Sequence, residues 1–126
     1  MDLNAKGYQA KPTRRVFIKK SNGKLRPLSI PTMKDRAMQT LYLLSLQPIA
    51  ETTADKRSFG FRKYRNCADA MEQLFTILSS KRSGQWILEG DIVGCFDSIR
   101  HEWMLRNVSM DKKILGKFLK AGFYTQ

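Results

Sequence analysis

Within "RRVFIKKSNGKLRPLSI", residues 14–30, two runs of β-branched and apolar residues flank Asn22-Gly23. That dipeptide tolerates the positive φ angles of a tight hairpin turn better than almost any other. A β-hairpin over 14–30 is therefore the strongest constraint on the fold. A two-residue type I′ turn would place Ser21 opposite Lys24, Lys20 opposite Leu25, Lys19 opposite Arg26 and Phe17 opposite Leu28. Lys19, Lys24 and Arg26 would then share one face. Like charges set across a strand pair repel, so the arrangement suits an anion held between them. Arg would offer its fork to phosphate oxygens and Lys a movable charge. The alternative is a solvated hairpin with splayed side chains.

The rest of the chain reads as mostly helical. Thr32, with Asp35 three residues on, can cap a helix over about 33–53 that carries Ala37, Leu41 and Leu44 at helical spacing, with Pro48 breaking or kinking it. Asn66 with Asp69 caps a second helix over about 67–82, bearing Met71, Leu74, Phe75 and Leu78. Between them, "DKRSFGFRKYRN" interleaves Phe59, Phe61 and Tyr64 with five cations. Such a loop can stack bases and neutralise phosphates, or can anchor its aromatics in the core and leave its cations in water. "GQWILEGDI" reads as a strand over 86–92. Ser98 can cap a short helix with Glu102 near its start and His101 on it, and Ser109 can cap a last helix ending at Gly122. Asp91 closes an apolar run, where a carboxylate is costly unless a cation meets it.

Charge narrows the partners. The net charge is +12, and residues 1–36 hold ten Lys or Arg against two acids, so +8 of it lies at the front. An imbalance of this size points to nucleic acid or another anionic surface and says nothing of fold. A hydrophobic content of 42% argues against disorder. No apolar run approaches the ~20 residues of a membrane span, and the N-terminus lacks a secretory segment, so no membrane partner and a cytoplasmic location are expected. Cys67 and Cys95 form no CxxC pair and are expected as reduced core thiols rather than zinc ligands or a disulfide. No repeat or linker supports a domain boundary.

"RRVFIKKSNGKLRPLSIPTMKDRAMQ", "SFGFRKYRNCADA" and "WILEGDIVGCFDSIRHEWM", in this order, resemble three consecutive blocks of the reverse transcriptase domain of group II intron-encoded proteins. The resemblance spans roughly residues 8–124. It implies an α+β fold comprising the fingers and partial palm of a right-hand polymerase, with a β-hairpin, several helices and one palm strand. Residues 1–85 would be fingers and 86–126 the N-terminal part of the palm, with the remaining palm, thumb and maturase regions absent.

The resemblance also implies roles. Lys19 and Arg26, with Lys20 and Lys24 nearby, would touch the triphosphate of an incoming dNTP, and Phe96 would lie under its sugar as a steric gate. Asp91 would be the catalytic carboxylate and, with the backbone carbonyl of Ile92, a ligand of Mg²⁺. Arg14, Arg15, Arg62, Lys63 and Arg65 would contact nucleic acid, and Asp97 would be structural. Nucleotide addition uses two metal ions on the attacking and leaving oxygens, and one aspartate leaves that site incomplete. The implied function is RNA-directed DNA synthesis on an RNA template and primer, in intron mobility or splicing with intron RNA as a further partner. The isolated chain is expected to be inactive and to form a homodimer through exposed palm surface. The alternatives are another bacterial reverse transcriptase, of retron or defence-associated type, and a non-catalytic RNA-binding module. Val93 and Lys63 depart from the family's usual Lys and Pro.

Overall fold

The computed structural model describes residues 5–125; residues 1–4 and 126, the outer ends of the two expected subdomains, lie outside the described residues. Among the described residues the fold is α+β, with four helices and a three-stranded sheet. In chain order these are β1 (Thr13–Lys19), β2 (Leu25–Ile30), α1 (Met33–Thr53), α2 (Cys67–Leu78), α3 (His101–Asn107), α4 (Lys112–Leu119) and β3 (Phe123–Thr125). Two compact units result, one from residues 5–48 with 96–125 and the other from 49–95.

In the first unit β1 lies between an antiparallel β2 and a parallel β3. The hairpin forms, but in another register than the one expected. Lys19 faces Leu25, Ile18 faces Arg26 and Val16 faces Leu28. The cause is the turn. Gly23 N–H donates to the Lys20 carbonyl at 3.0 Å and Lys20 N–H to the Lys24 carbonyl at 2.8 Å, which leaves a three-residue loop. Gly23 sits at φ 78°, whereas Asn22 is not among the residues with positive φ. A type I′ turn needs positive φ at both central positions, and the longer loop needs it only at its glycine. Asn22 Oδ1 instead accepts the Lys24 N–H at 3.1 Å, the local hydrogen bond that favours Asn in turns.

The core of this unit is Tyr8, Met38 and Ile114, with Ala10, Tyr42, Met110 and Phe118 packed around it. Phe118 meets Tyr8 and Tyr42 edge-on at 5.8 and 6.4 Å. The inward stripe of α1 is therefore Asp35, Met38 and Tyr42, while Leu41 and Leu44 are exposed. Polar satisfaction selects that stripe. Asp35, 3% exposed, accepts hydrogen bonds from the Tyr8 hydroxyl at 2.5 Å, the Thr32 hydroxyl at 2.6 Å and Lys11 N–H at 3.4 Å. Thr32 Oγ1 in turn accepts the Asp35 N–H, so the expected cap holds. Burial pushes the Asp35 carboxyl up, but these donors outweigh it and hold the group below its usual range. Tyr8 is held above its usual range by burial and by the Asp35 carboxylate.

Pro48 lies inside α1 without ending it. Arg100 rather than Ser98 stands at the start of α3, with no side-chain cap. Asp111 rather than Ser109 caps α4, accepting from Lys113 and Ile114 N–H. Asp111 is the residue next to the helix, so its carboxylate reaches those amides, and Ser109 is too far upstream. After Gly122, at φ 68°, the chain turns into β3, which the sequence pattern had not shown.

In the second unit Asn66 and Asp69 form the expected capping box, and α2 ends at Leu78, shorter than expected. Its apolar residues Met71, Leu74, Phe75 and Leu78 remain largely exposed. No strand forms over 86–92. An apolar run becomes a strand only by hydrogen bonding to a neighbour, and among the described residues the sheet consists of β1, β2 and β3 alone. Cys67 and Cys95 are free thiols, but Cys67 is exposed and Cys95 half-buried, so neither is a core residue.

Candidate functional site

Hairpin register decides which cations share a face in the first unit. Side chains alternate along each strand and directly opposed residues share a side. Arg26 thus lies with Ile18, and the Lys20–Lys24 hydrogen bond carries the alternation one residue further, so Lys20 and Lys24 join Arg26. Lys19 falls on the opposite face with Leu25. The expected pairing of Lys19 with Arg26 is replaced by a cluster of Lys20, Lys24 and Arg26 at the hairpin tip. All three are exposed.

At the other end of β1, Arg14 and Arg15 differ in their freedom. Arg15 is half-buried, donates from Nε and Nη2 to Ser29 Oγ at 3.3 Å each, and stacks at 3.3 Å on the Phe123 ring of β3. Its guanidinium holds the three strands together. Arg14 is exposed and lines a shallow cavity of about 350 Å³ with Met33, Arg36 and Tyr124. Phe96 is 77% exposed in the same unit, and its carbonyl accepts the Ile99 N–H at 3.4 Å.

The second unit holds the basic aromatic loop and Asp91. Arg62 is committed inside the loop. Its Nε donates to Glu51 Oε1 at 3.0 Å, its Nη2 bonds Glu51 Oε2, and its Nη1 donates to the Asp55 and Ser58 carbonyls. The paired hydrogen bonds lower the Glu51 carboxyl and raise the Arg62 guanidinium from their ordinary values. Arg65 bonds the Lys56 carbonyl and lies 5.5 Å from the Phe59 ring. Lys63 is exposed beside Tyr64. The two arginines brace a loop in which Phe61 and Tyr64 adopt φ values of 59° and 62°, uncommon for bulky residues. Both rings stand in solvent.

Asp91 is exposed, and its Oδ1 accepts the neighbouring Ile92 N–H at 2.9 Å. Mg²⁺ takes six oxygen ligands in near-octahedral order. Asp91 and the Ile92 carbonyl could supply two of them. Among the described residues no group of three or more His, Cys, Asp or Glu is placed to hold a metal ion, so these donors fit part of a metal shell and not a whole one.

The sequence shows Asp35 only as a capping partner, and neither the buried Tyr8–Asp35 pair nor the bracing role of Arg15 has a signal in it. A tyrosine near the chain start and a phenylalanine near its end carry no local pattern that joins them to these partners. Among the described residues no helix is long and apolar enough to cross a membrane.

Residues 18–120 match the protein family described as reverse transcriptase (RNA-dependent DNA polymerase). Protein YkfC of Escherichia coli is 37% identical over 91% of this chain. The group II intron-encoded protein LtrA of Lactococcus lactis is 37% identical over 92%, and nuclear intron maturase 1 of Arabidopsis thaliana is 29% identical over 76%. The chain spans 32%, 20% and 14% of the lengths of these three relatives.

Proposed function

The chain belongs to the reverse transcriptase family, and on that premise we propose that it forms the fingers, residues 1–85, and the beginning of the palm, residues 86–126, of an RNA-directed DNA polymerase of group II intron type. The hairpin tip holds the triphosphate of the incoming dNTP. Lys20, Lys24 and Arg26 carry that role, with Arg26 supplying a bidentate fork and the lysines neutralising the remaining charge. Lys19, on the opposite face, is excluded from the cluster. The observation that carries this reading is the three-residue turn, because it gathers three cations from two strands on one face.

Asp91, with the Ile92 carbonyl, would hold Mg²⁺, which supplies positive charge against the reacting phosphate oxygens. Phe96 lies against the sugar. Lys63 and Arg14, both exposed, meet the backbone of the RNA template or primer. The naming of similar proteins as intron-encoded proteins and an intron maturase favours intron mobility or splicing as the setting, with intron RNA as partner.

Titrating a fluorescent dNTP in the presence of Mg²⁺ tests the hairpin. Joint replacement of Lys20, Lys24 and Arg26 by Gln should abolish saturable binding, while Lys19→Gln should leave it nearly unchanged. Equal loss from Lys19→Gln, or dNTP binding that survives the triple replacement, would refute the assignment.

A further inference from the structure

Two adjoining cavities, of about 600 and 440 Å³, run along α3 and α4 and share Leu105, Lys112 and Lys113 as lining. Their walls carry Arg106, Lys112, Lys113, Lys117 and Lys120 against one acid, Glu102. Amphipathicity explains half of this. Ile114 and Leu115 turn into the core, so lysines are expected on the outer side of α4. A solvated helix face is convex, however, and this one lines a furrow together with Ala10, Pro12 and Gly116. A Cβ at Gly116 would meet nothing nearer than Leu105 Cδ2 at 3.9 Å, so the absent side chain leaves open space there.

Two of the amines are fixed by the fold. Lys117 Nζ donates to the Tyr8 carbonyl at 2.5 Å and Lys112 Nζ bonds the Val108 carbonyl. An ammonium has three donors, so each keeps two for a ligand. The Arg62–Glu51 ion pair lies outside the furrow, and among the described residues no furrow cation forms a salt bridge. A concave wall of predominantly one sign, with low-dielectric protein behind it, focuses potential and draws counter-ions. Repulsion among the five cations is relieved when a string of anions lies between them.

We infer that the α3–α4 furrow is a nucleic-acid backbone site that takes consecutive phosphates of an RNA strand. It is separate in sequence from the hairpin and the basic aromatic loop. The inference deepens the polymerase reading, on which its choice of RNA as occupant rests. Lys113 and Lys120 are exposed, and among the described residues their side-chain amines make no hydrogen bond; they make phosphate contacts that can be removed without disturbing the core. Lys112 and Lys117 line the furrow in fixed positions.

The test is anisotropy of a labelled single-stranded oligoribonucleotide with the whole chain across a salt series. Joint Lys113→Gln and Lys120→Gln replacement should make the log–log salt slope shallower by about 1.4, at about 0.7 per phosphate lost. A charge-matched control, Lys34→Gln with Lys81→Gln, should leave the slope nearly unchanged. Gly116→Met keeps every charge but fills the open space beside Leu105, and should weaken binding several-fold. Bound RNA should shield Lys113 and Lys120 from acetylation. Circular dichroism melting establishes that each variant is folded.

A furrow variant indistinguishable from the control, or unshielded lysines, overturns the furrow. If dNTP binding still depends on Lys20, Lys24 and Arg26 in that case, the polymerase reading stands. An unaltered chain that binds no RNA overturns both the furrow and the RNA-binding part of that reading. Salt-dependent binding to phosphatidylglycerol vesicles in place of RNA overturns the furrow's occupant.

Discussion

At the scale of single residues, the chain's most demanding group is Asp35, a buried carboxylate that stays ionised because three neighbours donate to it. Its folded-state pKa lies below the unfolded value, so its contribution is complete above about pH 4 and is lost as pH falls through the folded value. Tyr8 has the opposite sign. Its folded-state pKa is raised, so its contribution is complete below about pH 10 and is lost as pH rises beyond that. Urea midpoints followed across pH 2–5 and 9–11.5 should show both limbs. Asp35→Asn should flatten the acid limb and Tyr8→Phe the alkaline one. Tyr8→Phe should also cost about 1–3 kcal/mol near neutrality, because it leaves a buried acceptor short of a donor. A Tyr8→Phe protein with unchanged midpoints at every pH would refute the pairing. Asp91 sits at the other extreme, exposed and locally bonded. In a complete polymerase containing this sequence, Asp91→Asn should abolish primer extension and leave RNA affinity nearly unchanged; a large affinity loss would speak against a metal role.

At the scale of elements, the hairpin and α4 show how one backbone contact redirects a whole face. Gly23 is the position that requires positive φ in the three-residue turn. Gly23→Ala should destabilise the first unit by about 1 kcal/mol, the order of the left-handed penalty for a residue with a Cβ. It should also weaken dNTP binding more than its stability cost explains, because the Lys20–Lys24 register depends on the turn. At α4, Asp111→Ala should cost about 1 kcal/mol through loss of the cap, while Ser109→Ala should cost almost nothing. Thermal melts of the two variants settle which residue caps. The sequence announced the hairpin because Asn-Gly between β-prone runs is a local signal. It did not announce the register, because loops of two and three residues share the same dipeptide and only the hydrogen bonds of Lys20, Gly23 and Lys24 separate them.

At the scale of the whole chain, the side chains buried among the described residues all belong to the first unit: Tyr8, Asp35, Met38, Ile114 and Leu115. The described residues of the second unit include none that is buried, and α2 keeps its apolar stripe in solvent along with Trp86, Leu88 and Val93. Few buried apolar contacts mean low local opening energies. Amide hydrogen exchange should therefore be slowest in α4 and around Met38, and near the unprotected rate over 80–95. Apolar surface of this extent also recruits partners. The chain at tens of micromolar should self-associate, more strongly as salt screens its +12 charge. RNA binding should weaken over the same salt range. Sedimentation giving a strict monomer at both low and high salt would refute this.

What the sequence determined alone was whatever is encoded within a few residues. The hairpin, the Thr32 and Asn66 caps, the α+β class and the family blocks are all of this kind, because turn geometry, capping and helical periodicity act over one or two turns of chain. What only the tertiary structure decided was everything that joins distant segments. Tyr8 meets Asp35 and Lys117, Arg15 stacks on Phe123, and β3 pairs with β1. The apolar run over 86–92 shows the converse. Its composition is that of a strand, but a strand exists only when a neighbour accepts its hydrogen bonds, and that condition is not written in the run itself.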